Sequence, residues 1–315
     1  MAETPCDALH HLPTMSEVQK LHSSYIANCV FNSFLSYTAI MLNIVTIHAI
    51  RKTSSLPKQL KILLLSLAVS DIGVGLLGEP FYISLLARWL QKDIPDCIAY
   101  NGFFIVIRLF SLASYLTVVA ISLDRFLAIH LHLRYQELVT YRRVVAVVAS
   151  VWLFSLLISL TTFWLATKIT SVVLSSFLTF CVIATTTIYC KIYLALRRHR
   201  NQIETIQRQG IREISQNGNM ANFASIRKSA VGVFYVYLVF LVCYLPRFLL
   251  LLIHSPSFAA MKYTLELYSM TLIFLNSSLN PVVYCWKMKH IRRAIMNILR
   301  HFIRRYHDTS VPSHN

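Results

Sequence analysis

Polar side chains interrupt several long apolar stretches of this sequence at similar depths. They are Asn43, Asp71, Ser114, Asn276, Ser277 and Asn280. Hard cations take oxygen ligands, and one carboxylate among neutral oxygens suits a sodium ion. The same groups could instead satisfy one another in a structural hydrogen-bond network. The residues alone leave both interpretations open.

A charged pair, Asp124 and Arg125, ends the apolar run at residues 100–129. Apolar and small residues upstream of the pair recur at steps of three and four and form one helical stripe, which we expect to face protein. At about 1.5 Å per residue, residues 100–125 span roughly 37 Å, enough to cross a bilayer of about 30 Å. The pair then lies at one membrane surface, as an interfacial anchor or as a switch.

The composition predicts a membrane protein. Of 315 residues, 56% are hydrophobic and only 14% are charged, which is more apolar surface than a soluble domain of this size can bury. Seven apolar runs are each long enough to span as a helix: residues 26–50, 59–87, 99–127, 143–166, 171–196, 229–254 and 262–286. We therefore predict an all-α membrane protein, a seven-transmembrane helix bundle at residues 26–286.

The charge distribution predicts the topology. Most of the 30 Lys and Arg residues lie in the first, third and fifth connections and in the C-terminal tail. The positive-inside rule then places residues 1–25 outside the cell and the C-terminus inside. The long, polar connection at residues 197–228 is expected to be a flexible cytoplasmic loop. Basic residues spread over alternate connections argue against nucleic acid as a partner, despite the net charge of +17.

Residues 287–315 carry apolar side chains at helical steps among many cations. The apolar positions are Met288, Ile291, Ile295, Ile298 and Phe302. This pattern is typical of an amphipathic helix on the anionic inner leaflet, so membrane lipids are expected partners. The chain has no internal repeat of the kind that transporters show, which disfavours a transporter or channel as the alternative class.

Short motifs, one in each run and in chain order, resemble the rhodopsin-like G-protein-coupled receptors over residues 25–300. They are Asn43, residues 67–71 (Leu-Ala-Val-Ser-Asp), 124–126 (Asp-Arg-Phe), Trp152, Tyr189, 243–246 (Cys-Tyr-Leu-Pro) and 280–284 (Asn-Pro-Val-Val-Tyr). The resemblance implies a plasma-membrane receptor, without enzymatic activity, for an extracellular ligand and a heterotrimeric G protein. It also implies that Asp71, Ser114, Asn276 and Asn280 hold an allosteric sodium ion, with no other cofactor.

The resemblance further implies an activation switch. Its residues are Asp124, Arg125, Tyr189, Phe240, Tyr244, Pro246, Asn280, Pro281 and Tyr284. Arg125 would meet the G protein, Tyr189 and Tyr284 would swing toward Arg125, and Phe240 with Tyr244 would relay motion of the sixth run, Tyr244 standing where the family usually has Trp. No acid lies at residues 225–228, so the salt bridge that restrains this Arg in some members is not expected.

Three departures from the family pattern indicate a branch. The short second outer loop near residues 167–170 has no Cys, Cys97 precedes the family's usual cysteine position, and Cys181 replaces a common Pro. Cys6 is the evident partner for Cys97. These features look most like the melanocortin and cannabinoid receptors.

The candidate ligand-binding residues lie toward the outer ends of the runs. They are Glu79, Ile107, Arg108, Ser111, Tyr244, Arg247 and Glu266. Buried guanidinium groups need partners, and Glu79 and Glu266 are candidates, although Arg108 and Arg247 could instead snorkel to the outer headgroups. Otherwise they would bind a carboxylate or phosphate. We expect an acidic, zwitterionic or lipid-like small molecule, with a peptide as the alternative ligand.

Overall fold

The computed structural model describes residues 13–54, 56–131, 134–163, 167–208, 217–252 and 259–310; side chains within its helices are not described at 167–171, 199–208, 217–228, 251–252, 259–262, 299 and 301–310. Within these ranges the chain is helical and contains no strand. Cys6 lies outside the described residues.

Most of the described residues lie in helices. They are α1 (Met15–Lys20), α2 (His22–Lys52), α3 (Lys58–Gly73), α4 (Glu79–Leu90), α5 (Cys97–Leu131), α6 (Tyr135–Leu138), α7 (Tyr141–Leu160), α8 (Thr167–Arg208), α9 (Asn217–Leu252), α10 (Ala259–Lys287) and α11 (Lys289–Ser310). A π-helical turn, Val74–Gly78, joins α3 to α4, and a 3₁₀ turn, Thr161–Phe163, follows α7.

Seven membrane-spanning segments built from these helices form the predicted bundle. Among the described residues, six are long and apolar enough to cross a membrane: α2, α3 with α4, α5, α7 with its 3₁₀ turn, Val172–Arg198 of α8 and Ser229–Leu250 of α9. The seventh, α10, is 29 residues long and packs against α2 and α9. α5 lies at the centre, in contact with α3, α7, α8 and α9. The seven-helix prediction is confirmed.

The outer face of the bundle is apolar. Large hydrophobic side chains such as Leu153, Phe180 and Val242 are more than half exposed. Such a surface is stable against lipid and unfavourable in water. Because all backbone groups in a helix bond within the helix, this architecture satisfies them without water.

The interior contains two hydrophobic clusters. The outer core includes Leu35, Val74, Ile107 and Phe274, and the inner core includes Ala49, Leu67, Tyr115 and Val283. The predicted polar residues lie between members of the outer and inner clusters along each of four segments. These segments are α2, α3 with its π turn, α5 and α10. A polar layer therefore divides the core at mid-depth, and it is defined by Asn43, Asp71, Ser114, Asn276 and Asn280.

The second apolar run contains a wide turn that its hydrophobicity did not predict. Gly73 directly precedes it and Gly75 lies within it. Each glycine allows a close approach: a Cβ on Gly75 would lie 3.2 Å from the Ser36 carbonyl oxygen, and one on Gly73 would lie 2.2 Å from the Phe110 ring. Ser36 also donates to the Gly75 carbonyl oxygen at 2.8 Å. The position of this segment is thus fixed by close packing against α2 on one side and α5 on the other.

Four features of the helices differ from the sequence-based prediction. A short helix, α1, precedes the first span, and α8 begins at Thr167, where a connection was expected. α8 also extends to Arg208 and α9 begins at Asn217. Most of the connection at residues 197–228 therefore continues the two helices, because polar and basic residues such as Arg and Gln are themselves good helix formers.

Gly73→Ala should destabilise the bundle by about 1–3 kcal/mol, because the new methyl group would overlap the Phe110 ring. Gly78→Ala is the matched control, since a Cβ there would meet its nearest neighbour, Ile107, at an ordinary 3.5 Å. Thermal unfolding of the purified variants measures both. Equal stability of the two variants would contradict the described contact.

Candidate functional site

The polar layer joins three helices, α2, α3 and α10, through a few hydrogen bonds. Asn280 of α10 donates to Asp71 of α3 at 2.8 Å, and Asn43 of α2 donates to the Ser277 carbonyl oxygen at 2.9 Å. Asn43, Asp71, Asn276 and Asn280 are fully buried. Each bond links helices that are far apart in sequence, so the layer fixes their relative depth.

Several oxygens of this layer have no hydrogen-bond partner within the described part of the chain. They are Asp71 Oδ1, Asn43 Oδ1, Ser114 Oγ, Asn276 Oδ1 and Asn280 Oδ1. A carboxylate oxygen with neutral amide and hydroxyl oxygens is a donor set that fits a sodium ion. Among the described residues, no group of three or more His, Cys, Asp or Glu could hold a metal ion. The sodium assignment stays a prediction.

Arg125 is buried at the inner end of α5 and is held by neighbours on three elements. Its Nε donates to Asp124 Oδ2 at 2.9 Å, and its Nη2 also contacts that oxygen. Tyr135 of α6 donates to Asp124 Oδ1 at 2.7 Å. On α9, Ser229 Oγ lies 3.5 Å from Arg125 Nη1. A neutral hydroxyl therefore stands where an acid would make a salt bridge.

The two predicted swinging tyrosines lie near this end of the bundle in different environments. Tyr189 of α8 shares a 2.8 Å hydrogen bond with Ser122 and stacks on Tyr237 at 5.0 Å between ring centroids. Tyr284 is 1% exposed, and its hydroxyl has no partner within the described residues. An unpaired buried hydroxyl favours any rearrangement that gives it a partner.

A cationic contact joins α9 to the end of α10, just before α11 begins. Lys287 Nζ lies 3.8 Å from the Tyr235 ring centroid and 3.5 Å from that of Trp286. Met288 packs beside Gly232, where a Cβ would be 3.3 Å from the methionine side chain. Sequence reasoning missed this contact, because an aromatic ring and a lysine 52 positions apart carry no local signal.

Aromatic rings connect the two halves of the core. Phe240 stacks on Tyr244 at 4.1 Å between ring centroids, and Tyr115 lies 5.1 Å from Phe240. Tyr244 packs against both hydrophobic clusters. Pro246 and Pro281 lie inside α9 and α10, and each removes a hydrogen bond of its helix. The predicted relay residues therefore form one contact chain.

In the outer half, one of the two predicted arginine–glutamate pairs forms. Arg247 Nη1 lies 3.9 Å from Glu266 Oε1, and the two side chains are 24% and 36% exposed. Arg108 instead turns toward the 3₁₀ turn that follows α7 and donates to Thr162 Oγ1 at 2.8 Å. Ile107 is buried, and the half-buried Ser111 has an unpaired hydroxyl among the described residues.

Glu79 does not pair with an arginine within the described part of the chain. It is fully buried, and neither carboxylate oxygen has a hydrogen-bond partner there.

Cys97 forms a disulfide bond, whereas its predicted partner, Cys6, lies outside the described residues. Just before Cys97, Arg88 donates to Asp93 and Asp96 at 2.7 Å each, which lowers the pKa of Asp96 and braces the start of α5.

Comparison with known proteins identifies the family. The family described as 7 transmembrane receptor (rhodopsin family) matches residues 42–171 and 161–284. The chain belongs to the rhodopsin family of seven-transmembrane receptors. The Gallus gallus adenosine receptor A2b is 36% identical over 132 residues, covering 42% of this chain and only 38% of that receptor.

Two further relatives of this receptor align over most of its length. The Canis lupus familiaris adenosine receptor A2a is 26% identical over 305 residues, covering 86% of this chain and 72% of the relative. Melanocortin receptor 5 of Rattus norvegicus is 26% identical over 274 residues, covering 84% and 82%. The resemblance to rhodopsin-like receptors is confirmed. Melanocortin receptors were expected from the departures, and adenosine receptors were not named by the sequence analysis.

Tyr135→Phe should raise ligand-independent activation of the receptor by at least about twofold. A hydrogen bond to a charged acceptor contributes about 1.5 kcal/mol or more, and its loss leaves Asp124 less able to hold Arg125. Nucleotide exchange on a co-expressed G protein measures the effect. Tyr141→Phe, at a tyrosine that is 55% exposed, is the control. Unchanged basal activity at equal surface expression would contradict the role of this bond.

Proposed function

We propose that this receptor lies in the plasma membrane with its N-terminus outside, binds an acidic or zwitterionic small molecule in its outer half, and activates a heterotrimeric G protein at its inner end. The observation that supports the ligand class most directly is the partly exposed Arg247–Glu266 pair. A guanidinium that is neither fully buried nor fully neutralised keeps donors for a carboxylate or phosphate.

The 3.9 Å separation of this pair is longer than a good charge-assisted hydrogen bond. An anionic ligand can therefore replace Glu266 as the partner of Arg247 without first breaking a strong contact. A zwitterionic ligand would form two ion pairs, because its anionic group would bind Arg247 and its cationic group would face the released carboxylate of Glu266. Ile107 offers no counter-ion for a simple monoamine. The pair thus favours an anionic or zwitterionic ligand.

Support for G-protein coupling comes from the inner end. Arg125 is held by Asp124 and lies beside a serine of α9, so no acidic partner on described α9 residues opposes its release. The Tyr284 hydroxyl has no partner among the described residues, and Phe240 with Tyr244 connects the outer half to this end. In our proposal, sodium at Asp71 biases the equilibrium between an arrangement in which Asp124 holds Arg125 and one in which Arg125 contacts the G protein.

Two of the receptors to which this chain is similar are adenosine receptors. Adenosine is therefore included in the ligand test as the neutral candidate. A screen of adenosine, acidic nucleotides, amino acids, acidic lipids and peptides against the receptor, read by G-protein nucleotide exchange, decides the class. Activation by an anionic or zwitterionic small molecule is expected. Activation by a neutral or cationic compound alone would overturn the proposed ligand class while leaving the coupling intact.

Arg125→Ala should abolish activation by any agonist while the variant still reaches the cell surface, because the proposed contact with the G protein needs the guanidinium. Arg134→Ala, at an exposed arginine after the same helix, is the control. Nucleotide exchange with surface labelling measures both variants. Full signalling by a well-expressed Arg125→Ala receptor would refute the assigned role.

Arg247→Met should weaken an acidic agonist at least about tenfold, the equivalent of roughly 1.4 kcal/mol for one charge-assisted contact. Glu266→Gln should leave that agonist unchanged or strengthen it, because it removes the competing carboxylate. Arg108→Met tests the second predicted arginine, with the same tenfold expectation. Arg88→Met is the control for loss of an outer arginine. Concentration–response curves give the measurement, and an unchanged response of both Arg108→Met and Arg247→Met would refute the acidic ligand.

A further inference from the structure

A second group of buried polar residues lies outside the polar layer, toward the outer end of the bundle. It comprises Asn28 and Asn32 of α2, Glu79 of α4 and Thr271 of α10, and we name it the outer polar cluster. Their exposed fractions are 2%, 0%, 0% and 8%. Neither the predicted switch nor the predicted sodium pocket includes Asn28, Asn32 or Thr271.

The contact between Ser36 and Gly75 places Asn32 and Glu79 at one depth. Ser36 donates to the Gly75 carbonyl oxygen at 2.8 Å, so these two residues lie side by side. The two helices run in opposite directions through the membrane. Asn32 is one helical turn outward of Ser36 on α2, and Glu79 is about one turn outward of Gly75 on the neighbouring helix. Both side chains are buried, so they face the interior between these helices.

Helix α10 closes the cluster from the third side. Thr271 Oγ1 donates to Asn28 Oδ1 at 2.5 Å and accepts from Asn32 Nδ2 at 3.1 Å. Tyr82, one turn after Glu79, donates to the Leu267 carbonyl oxygen at 3.4 Å and packs on Phe274 at 5.2 Å between ring centroids. Thr271 lies between those two residues on α10. Asn32, Glu79 and Thr271 therefore approach one another from three helices.

The cluster has more acceptors than donors. Asn32 Nδ2 donates to the Asn28 carbonyl oxygen at 2.7 Å and also to Thr271 Oγ1. Because the amide nitrogen makes both of these bonds, the Oδ1 of Asn32 points away from them. Within the described residues Asn32 Oδ1 and both carboxylate oxygens of Glu79 have no partner. Protonation of Glu79 would supply only one donor for three acceptors. A cation would satisfy all of them.

We propose that the outer polar cluster binds a monovalent metal cation, such as sodium, between Glu79 and Asn32. One carboxylate with amide and hydroxyl oxygens matches the charge of a monovalent ion, whereas calcium takes six to eight oxygens, commonly from several carboxylates. The carboxylate is fully buried beside the outer core, so the site suits a bare ion and excludes a bulky organic ammonium. The ion would tie α2, α4 and α10 together.

This site is separate from the one proposed at Asp71. Glu79 lies eight positions farther along the span, about 10 Å outward along the helix axis because the π turn takes up one extra residue. Outer-core residues Leu35, Val74 and Phe274 lie at intermediate positions in the three helices. The two sites share no side chain, so each can be removed without altering the ligands of the other.

The test measures ²²Na⁺ binding to the purified full-length Asp71→Asn receptor in lipid nanodiscs, with N-methyl-D-glucamine chloride holding the ionic strength constant. One sodium ion per chain is expected. Sodium at ten times its dissociation constant should also lower the unfolding equilibrium constant about tenfold. The Asp71→Asn/Glu79→Gln double variant should lose both effects. Asp71→Asn/Glu266→Gln, which removes the partly exposed outer carboxylate, is the matched control and should keep them.

Absence of sodium binding in Asp71→Asn, or binding that survives Glu79→Gln, would overturn the proposal. Asn32→Leu in the Asp71→Asn background is the second variant; it leaves the carboxylate in place and should weaken sodium binding at least about tenfold. Because every arm lacks Asp71, the result is independent of whether Asp71 itself holds sodium. It is equally independent of which ligand activates the receptor.

Discussion

The burial of polar side chains between two apolar cores is the constraint on which the rest of this bundle depends. An unpaired polar group in a low-dielectric interior costs about 1–3 kcal/mol, and charged groups cost more. Asp71, Asn43 and Asn280 avoid part of that cost only when α2, α3 and α10 stand at one relative depth. Apolar contacts are not directional and would tolerate sliding of one helix past another. The polar layer therefore sets the register, and the two cores supply most of the packing.

Hydrophobic runs predicted the seven spans and the inner position of Arg125 because both depend only on local composition and helical period. The partners of that arginine were not predictable in the same way. Tyr135 lies in a short helix between spans, and Ser229 approaches from a distant helix. Glu266 and Glu79 were both candidate partners for the outer arginines. Glu266 lies beside Arg247, whereas neither carboxylate oxygen of Glu79 has a partner among the described residues. Helix rotation decides between such partners, and composition does not record rotation.

The two ends of the bundle are held by interactions of different kinds. At the inner end, a serine contacts Arg125 and a lysine lies over an aromatic ring of α9, so no salt bridge between described residues ties that helix to α5. Cation–π contacts at accessible sites contribute about 0.5–1 kcal/mol. At the outer end, α9 meets α10 through the Arg247–Glu266 ion pair. A ligand that replaces Glu266 as the partner of Arg247 would break the outer ion pair between α9 and α10. The weak contacts at the inner end would then permit α9 to shift.

The π turn between α3 and α4 determines which way Glu79 faces. In a regular α-helix, residues eight positions apart differ by about 80° in direction, because each residue turns the helix by about 100°. A wide turn takes up one extra residue, so the eight positions from Asp71 to Glu79 correspond to about seven helical steps and the difference falls to about 20°. Both carboxyl groups of this span then point into the bundle interior, one in the polar layer and one in the outer polar cluster. Without the wide turn, Glu79 would rotate away from Asn32 and Thr271, so the glycines that permit the turn are also what gives the outer cluster its carboxylate.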